Sequence, residues 1–274
     1  MKYKDFLEDR LQKAVRDAVR LPSGFSLVGH VALVQADSDN AEFLRALGEA
    51  TLAYDKRIGS VAVRIGPTSG TERTPSYQLI AGSSHTETVH TEGGIQFKLD
   101  PLRITFSPGN KRERLLVKNQ VRPGETIVDM FACVGQFALH AAASREDVRV
   151  TAIEINKNAF DYLTANITLN KLNDRVYSIL GDCRNKHPIG TADRIYMGYL
   201  HDTIEYLPHA LQTLSPTGGF IHMHMAHPEN ESGETKEGIV LACSDFGFST
   251  DVLSRRVKWY SPGVAHMVYD IHAF

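Results

Sequence analysis

Cysteine is scarce in this chain: Cys133, Cys183 and Cys243 make three, and no pair has C-x-x-C spacing. An odd count without that spacing argues against a disulfide framework or a thiolate zinc site and points to a reducing interior. No apolar run approaches the roughly 18 residues that a membrane helix needs, so no spanning segment is expected. A charge excess of either sign is also missing. With 30 Lys and Arg against 32 Asp and Glu, the net charge of −2 gives no global pull toward nucleic acid, and RNA binding would have to come from local patches. The opening Met-Lys-Tyr-Lys-Asp-Phe-Leu-Glu-Asp-Arg carries charges where a leader needs apolar residues, so the expected location is the cytoplasm. Internal repeats and low-complexity tracts are lacking, and the one stretch that reads as a flexible loop is Pro228-Glu-Asn-Glu-Ser-Gly-Glu234.

What is present suits a folded, two-domain chain. At 274 residues, 42% hydrophobic and 23% charged, the sequence can bury a sizeable core. Apolar positions Phe6, Leu7, Leu11, Ala14, Val15 and Ala18 predict a docking helix over 4–20, ended by Leu21-Pro22-Ser-Gly. Short β-like runs follow at 30–35, 60–64, 77–81, 86–89 and 96–99 around one helix at 40–55, which makes a small α+β domain over residues 1–105. Beyond Ser107-Pro-Gly-Asn110 and a short charged helix, strands are expected at 126–131, 149–154, 175–180, 193–197 and 219–224. Helices are expected at 135–144, 157–170, 203–214 and 235–246, with a closing strand pair near 250–259 and 265–272. Such alternation predicts an α/β doubly wound sheet, and the closing pair suits a class I methyltransferase-like, Rossmann-type, seven-stranded sheet over residues 106–274.

Three strand ends carry the chemistry. Asp129 ends the first, and Phe131-Ala-Cys-Val-Gly135 must turn tightly, so that backbone N–H groups at the next helix start can face an anion. Glu154 ends the second, nineteen residues after Gly135, about the separation at which an acid accepts from ribose hydroxyls in dinucleotide folds. Asp182, after the third, can accept from an adenine amine beside the Cys183 N–H. Together these acids predict an S-adenosylmethionine site.

Larger blocks carry a family resemblance: Phe106-Ser-Pro-Gly-Asn-Lys-Arg-Glu-Arg114, Asp129-Met-Phe-Ala, Asn166-Ile-Thr-Leu-Asn-Lys171, Ala192-Asp-Arg-Ile-Tyr-Met-Gly-Tyr199, Ile221-His-Met-His224 with Pro228-Glu229, and Tyr260-Ser-Pro-Gly-Val-Ala-His266. Over nearly the whole chain the sequence resembles the tRNA wybutosine-synthesising enzymes that transfer a 3-amino-3-carboxypropyl group, a family shared with the tRNA guanine-37 N1-methyltransferases. Where those methyltransferases carry an Asn-Leu-Pro or Asn-Pro-Pro turn, this chain has Met197-Gly198-Tyr199. The resemblance therefore implies aminocarboxypropyl transfer from S-adenosylmethionine to C7 of 4-demethylwyosine at position 37 of phenylalanine tRNA, with release of methylthioadenosine. The alternatives are guanine-37 N1-methylation and a non-catalytic cofactor-binding RNA module.

The resemblance also implies roles. Ser107 and Arg114 fall on cofactor-contacting positions, Arg114 being suited to the methionyl carboxylate, and Glu113 falls on the methyltransferases' general base. Cys133 stands where relatives have glycine, so a side chain there should disfavour positive φ and narrow the cofactor's approach. The tRNA candidates are Arg73, Asn110, Lys111, Arg112, Tyr199, Arg255, Arg256 and Lys258, with Lys118, Arg122, Trp259 and Tyr260 beside them. His222-x-His224-x-x-His227 has a metal-like spacing but lacks a convincing completing ligand, so no metal is expected. Nothing in the sequence calls for an obligatory protein partner.

Overall fold

The computed structural model describes residues 1–11 and 19–274. The chain divides into two compact units, Met1–Gly109 and Asn110–Phe274. Of the helix expected over 4–20, the described residues hold α1, Tyr3–Arg10, which ends at an extended Leu11; Ala14, Val15 and Ala18 lie outside them.

In the first unit, β1 (Phe25–Val28), β2 (Val31–Val34), β3 (Ser60–Arg64) and β4 (Tyr77–Gly82) form one sheet in that order, with only β2 and β3 parallel. Strand β1 escapes sequence reading because it is four residues long and mostly half-buried, with no alternation to see. Helix α2 (Ala41–Tyr54) starts where Asn40 Oδ1 accepts from the Phe43 amide at 2.9 Å, and it buries Phe43, Leu44 and Leu47 against Ala32, Val34, Val61 and Val63. Tyr3 and Leu7 of α1 join that core, Tyr3 bonding Thr51 at 2.7 Å. A separate hairpin pairs β5 (Thr88–Glu92) with β6 (Ile95–Leu99).

The second unit opens with α3 (Lys111–Gln120) and then winds β7 (Thr126–Asp129), α4 (Ala138–Ser144), β8 (Arg149–Glu154), α5 (Lys157–Leu169), β9 (Val176–Leu180) and the single turn α6 (Cys183–Lys186). β10 (Arg194–Leu200), α7 (Leu207–Thr213), β11 (Gly219–Pro228), α8 (Ser232–Asp245), β12 (Thr250–Ser261) and β13 (Val264–Ala273) complete it. The sheet order is β12-β13-β11-β10-β7-β8-β9, and β13 runs antiparallel to both neighbours. This is the expected seven-stranded arrangement. Alternation sorts its faces: Ile195, Met197, Ile221 and Met223 pack on Leu207, Leu211 and Ile239, while on the other side Tyr196 stacks with both Phe137 and His222.

Two local expectations change. Pro228–Glu234 is not a loop, because β11 runs to Pro228 and a 3-10 turn at Glu229–Glu231 leads directly into α8. Strand β10 does not end at Met197 but carries Met197, Gly198 and Tyr199 within it to Leu200, with irregular pairing to β11. Among the described residues no helix is long and apolar enough to cross a membrane.

Candidate nucleoside-cofactor site

The chain winds from β7 to β8 and β9 on one side, then returns to place β10 on β7's other side. Crossovers leaving in opposite directions open a crevice at the carboxyl ends of β7 and β10, the place where open α/β sheets hold ligands. The turn after β7 lines it. Asp129 is fully buried, its two oxygens accepting from the Phe131 amide at 3.2 Å and the Ala138 amide at 3.1 Å, so it braces the turn and the start of α4. Burial pushes its carboxyl up to about 7, against the pull of those two amides. Cys133 takes φ 51°, the left-handed conformation that its side chain disfavours. Gly135 has φ 95°, and a Cβ on it would lie 2.6 Å from Leu139 Cγ.

Glu154 at the end of β8 holds this turn from below: one oxygen accepts from the Cys133 amide at 2.6 Å, the other from the Asn156 amide at 2.7 Å. Asp182 caps α6 through the Arg184 amide, and its carboxylate also receives the Arg184 guanidinium on both oxygens at 2.5–3.1 Å. That arginine holds the Asp182 carboxyl below the usual range. The Arg184 guanidinium lies 5.4 Å over the ring of Tyr206, which meets Phe131 edge-on at 5.0 Å, while Phe131 stacks on Tyr199 at 5.2 Å. The cluster gives the mouth of the crevice flat aromatic faces.

On α3, Arg114 is 1% exposed and donates to Gln136 Oε1 at 3.1 Å, which brings its guanidinium to the glycine turn. Asn110, just before α3, makes no capping bond, and its buried Oδ1 has no partner among the described residues.

Beside Arg114, Glu113 is clasped by Arg255 in two parallel bonds of 2.8 and 2.6 Å. Arg255 Nε reaches Asp270 at 3.4 Å, Asp270 accepts from His222 Nδ1 at 2.6 Å, and Arg194 donates to His222 Nε2 at 2.6 Å while clasping Glu125 at 2.8 and 2.9 Å. An imidazole that accepts at Nε2 and donates at Nδ1 is neutral, and burial lowers the His222 pKa accordingly. His224 and His266 share a 3.0 Å bond, both pushed down to about 3 by burial. His227 bonds Pro228 O and Tyr269. No group of three or more His, Cys, Asp or Glu among the described residues is arranged for a metal ion.

Thus Arg114, Asp129, Phe131, Gly135, Glu154, Asp182, Cys183 and Tyr199 gather at the carboxyl edge of one sheet. Of the expected phosphate contacts, Lys111 and Arg112 are exposed on α3, but Arg255 turns inward onto Glu113, and Arg256 pairs with Glu229 at 2.8 Å and covers Trp259. Ser107 and Arg73 belong to the first unit; the Arg73 carbonyl accepts from the Thr105 hydroxyl at 2.5 Å. Sequence reading missed Gln136, Arg184 and Tyr206. Only Gln136, next to the glycine turn, carried a local signal.

The profile of the TRM5/TYW2 methyltransferase domain matches residues 88–243, and that of the TYW2 N-terminal domain matches residues 3–86. The tRNA(Phe) (4-demethylwyosine(37)-C(7)) aminocarboxypropyltransferase of Pyrococcus horikoshii is 35% identical over 260 residues, covering 93% of this chain and 90% of that protein. The tRNA (guanine(37)-N(1))-methyltransferase Trm5b of Pyrococcus abyssi is also 35% identical, over 91% of this chain and 74% of its own length. The crystal structure of P. horikoshii TYW2 in complex with MeSAdo superposes with a TM-score of 0.83 at 31% identity, covering 99% of this chain and 98% of that one.

Proposed function

The chain belongs to the TRM5/TYW2 family, and from that premise we propose that it transfers the 3-amino-3-carboxypropyl group of S-adenosylmethionine to C7 of 4-demethylwyosine at position 37 of phenylalanine tRNA, releasing methylthioadenosine. The observation that carries the choice between the family's two chemistries is the Met197-Gly198-Tyr199 run. Met197 is fully buried in the core, and Gly198 lets the Phe137 ring so close that a Cβ there would stand 3.0 Å from it. The run itself offers no side-chain amide to grip a target nitrogen beside the methyl group.

The residues present fit the cofactor. Glu154 offers its carboxylate to the ribose hydroxyls, Asp182 and the Cys183 amide face the adenine edge, and Gly135 lets the backbone approach closely. Arg114 suits the carboxylate of the amino-acid arm, because a planar guanidinium binds it bidentately. When bound, the sulfonium activates each of its three attached carbons, so the arm's orientation selects the product. Phe131, Tyr199 and Tyr206 would stack the flat acceptor base, and Asn110 Oδ1 is an acceptor available to it. Glu113, oriented by Arg255, takes the proton that C7 loses.

The substrate is tRNA, met on this reading by the exposed Lys111 and Arg112 of α3, in the cytoplasm and without an obligatory protein partner. The P. abyssi relative's identity keeps N1-methylation as the competing outcome. The test is incubation of tRNA carrying 4-demethylwyosine with S-adenosylmethionine labelled on the methyl or on the carboxyl carbon. Carboxyl label on the RNA is expected; methyl label would mean methylation, and binding without either label would mean a non-catalytic module.

A further inference from the structure

Strand β12 contains an irregularity that changes which of its residues look inward. Arg256 pairs with Met267 and Lys258 with His266, so Val257 is an extra residue bulged out of the ladder. In a regular strand Arg255 would share its face with Val257 and Trp259. With the bulge, Lys258 moves to the face of Arg255, whose head lies on Glu113 of α3, while Arg256 lies over Trp259 and pairs with Glu229.

The cations of that face differ in their partners. Arg255 has Glu113 and Asp270, and Arg194 has Glu125. Lys258 is half-buried, and among the described residues no carboxylate lies within ion-pair distance of it. Its charged neighbour is another cation, Arg114: burial first, and then the Arg114 guanidinium, lower the Lys258 pKa. A half-buried lysine with no acid of its own, beside the arginine that meets the glycine turn through Gln136, suits an anionic group of a ligand.

We infer that Lys258 is a positioning residue that, with Arg114, holds the carboxylate of the arm to be transferred. This rests on the proposed cofactor. A backbone phosphate of RNA has the same charge, but Arg114 is 1% exposed, which favours a small carboxylate entering the crevice. Two cations on one carboxylate fix the arm at its far end, so its chain carbon stays aligned while the carbon–sulfur bond breaks.

The test measures binding by calorimetry without tRNA, using S-adenosylmethionine and its decarboxylated form, which lacks that carboxylate. Lys258→Met should weaken S-adenosylmethionine about tenfold or more and leave the decarboxylated compound unchanged, and Lys258→Arg should restore most of the loss. Equal weakening of both compounds, or a loss confined to tRNA affinity, would overturn the inference. Because this readout involves no transfer, it is separable from the labelling experiment: methyl label on RNA would sink the proposed reaction and leave the Lys258 result standing.

Discussion

Replacing Glu154 by Gln tests the cofactor site and its scaffold in one variant. Both carboxylate oxygens accept from backbone amides, Cys133 at 2.6 Å and Asn156 at 2.7 Å, and the first of these bonds holds the turn at the left-handed Cys133. A glutamine keeps one acceptor and turns its NH2 toward the other amide, so one buried donor loses its partner, at a cost of about 1–3 kcal/mol of stability. Binding should suffer separately. Two ribose hydroxyls bonded to an ionised acceptor contribute about 1.5–3 kcal/mol each, and roughly half is lost with a neutral amide, so the dissociation constant for S-adenosylmethionine should rise by about 10- to 150-fold. Urea unfolding reads the first effect and calorimetry the second. A variant that loses stability yet binds within about twofold of the parent would show Glu154 to be only a strut beneath the turn, and the adenosine assignment would fail.

Arg194→Met should destabilise by about 3–5 kcal/mol, because it strands buried Glu125, and adding Glu125→Gln should recover much of the loss; a single variant within about 1 kcal/mol of the parent in urea would show the pair to be unimportant. Cys133→Gly should raise stability by about 0.5 kcal/mol, the relief of a side chain at φ 51° less the added chain entropy, and should tighten cofactor binding; a lower urea midpoint would contradict this. Acid should weaken the fold. The pKa values of His222, His224 and His266 are depressed, so below about 6.5 the unfolded chain takes protons there that the folded one refuses. Asp129, raised to about 7, works the other way by one proton above its ordinary value. His224 and His266 withhold two protons against the one that Asp129 gains, which predicts a stability loss of about 1.4 kcal/mol per pH unit or more from pH 6 down to 4.5, and a flat profile over that range would refute it.

The alternation of apolar runs with helical stripes determined the second unit's architecture from sequence, because the inner parallel strands are largely buried on both faces and each crossover is local. The acids at 129, 154 and 182 were legible for the same reason: they follow apolar runs that end at one sheet edge. What each acid does was not legible. Asp129 sits closest to the turn in sequence yet bonds only backbone, whereas Asp182 shares its carboxylate with Arg184, and hydrogen-bond partners of that kind are fixed by distances that no spacing rule contains.

The basic residues near the end show the limit most clearly. Arg255-Arg-Val-Lys-Trp reads as a phosphate-contacting run, but pairing with β13 and the bulge at Val257 turn Arg255 onto Glu113 and put Lys258 on the same face. The partners lie 142 positions apart in the case of Arg255 and Glu113. Local pattern chose strands, helices and their order; which charges meet across the sheet depended on register, since moving a strand residue by one place sends its side chain to the opposite face.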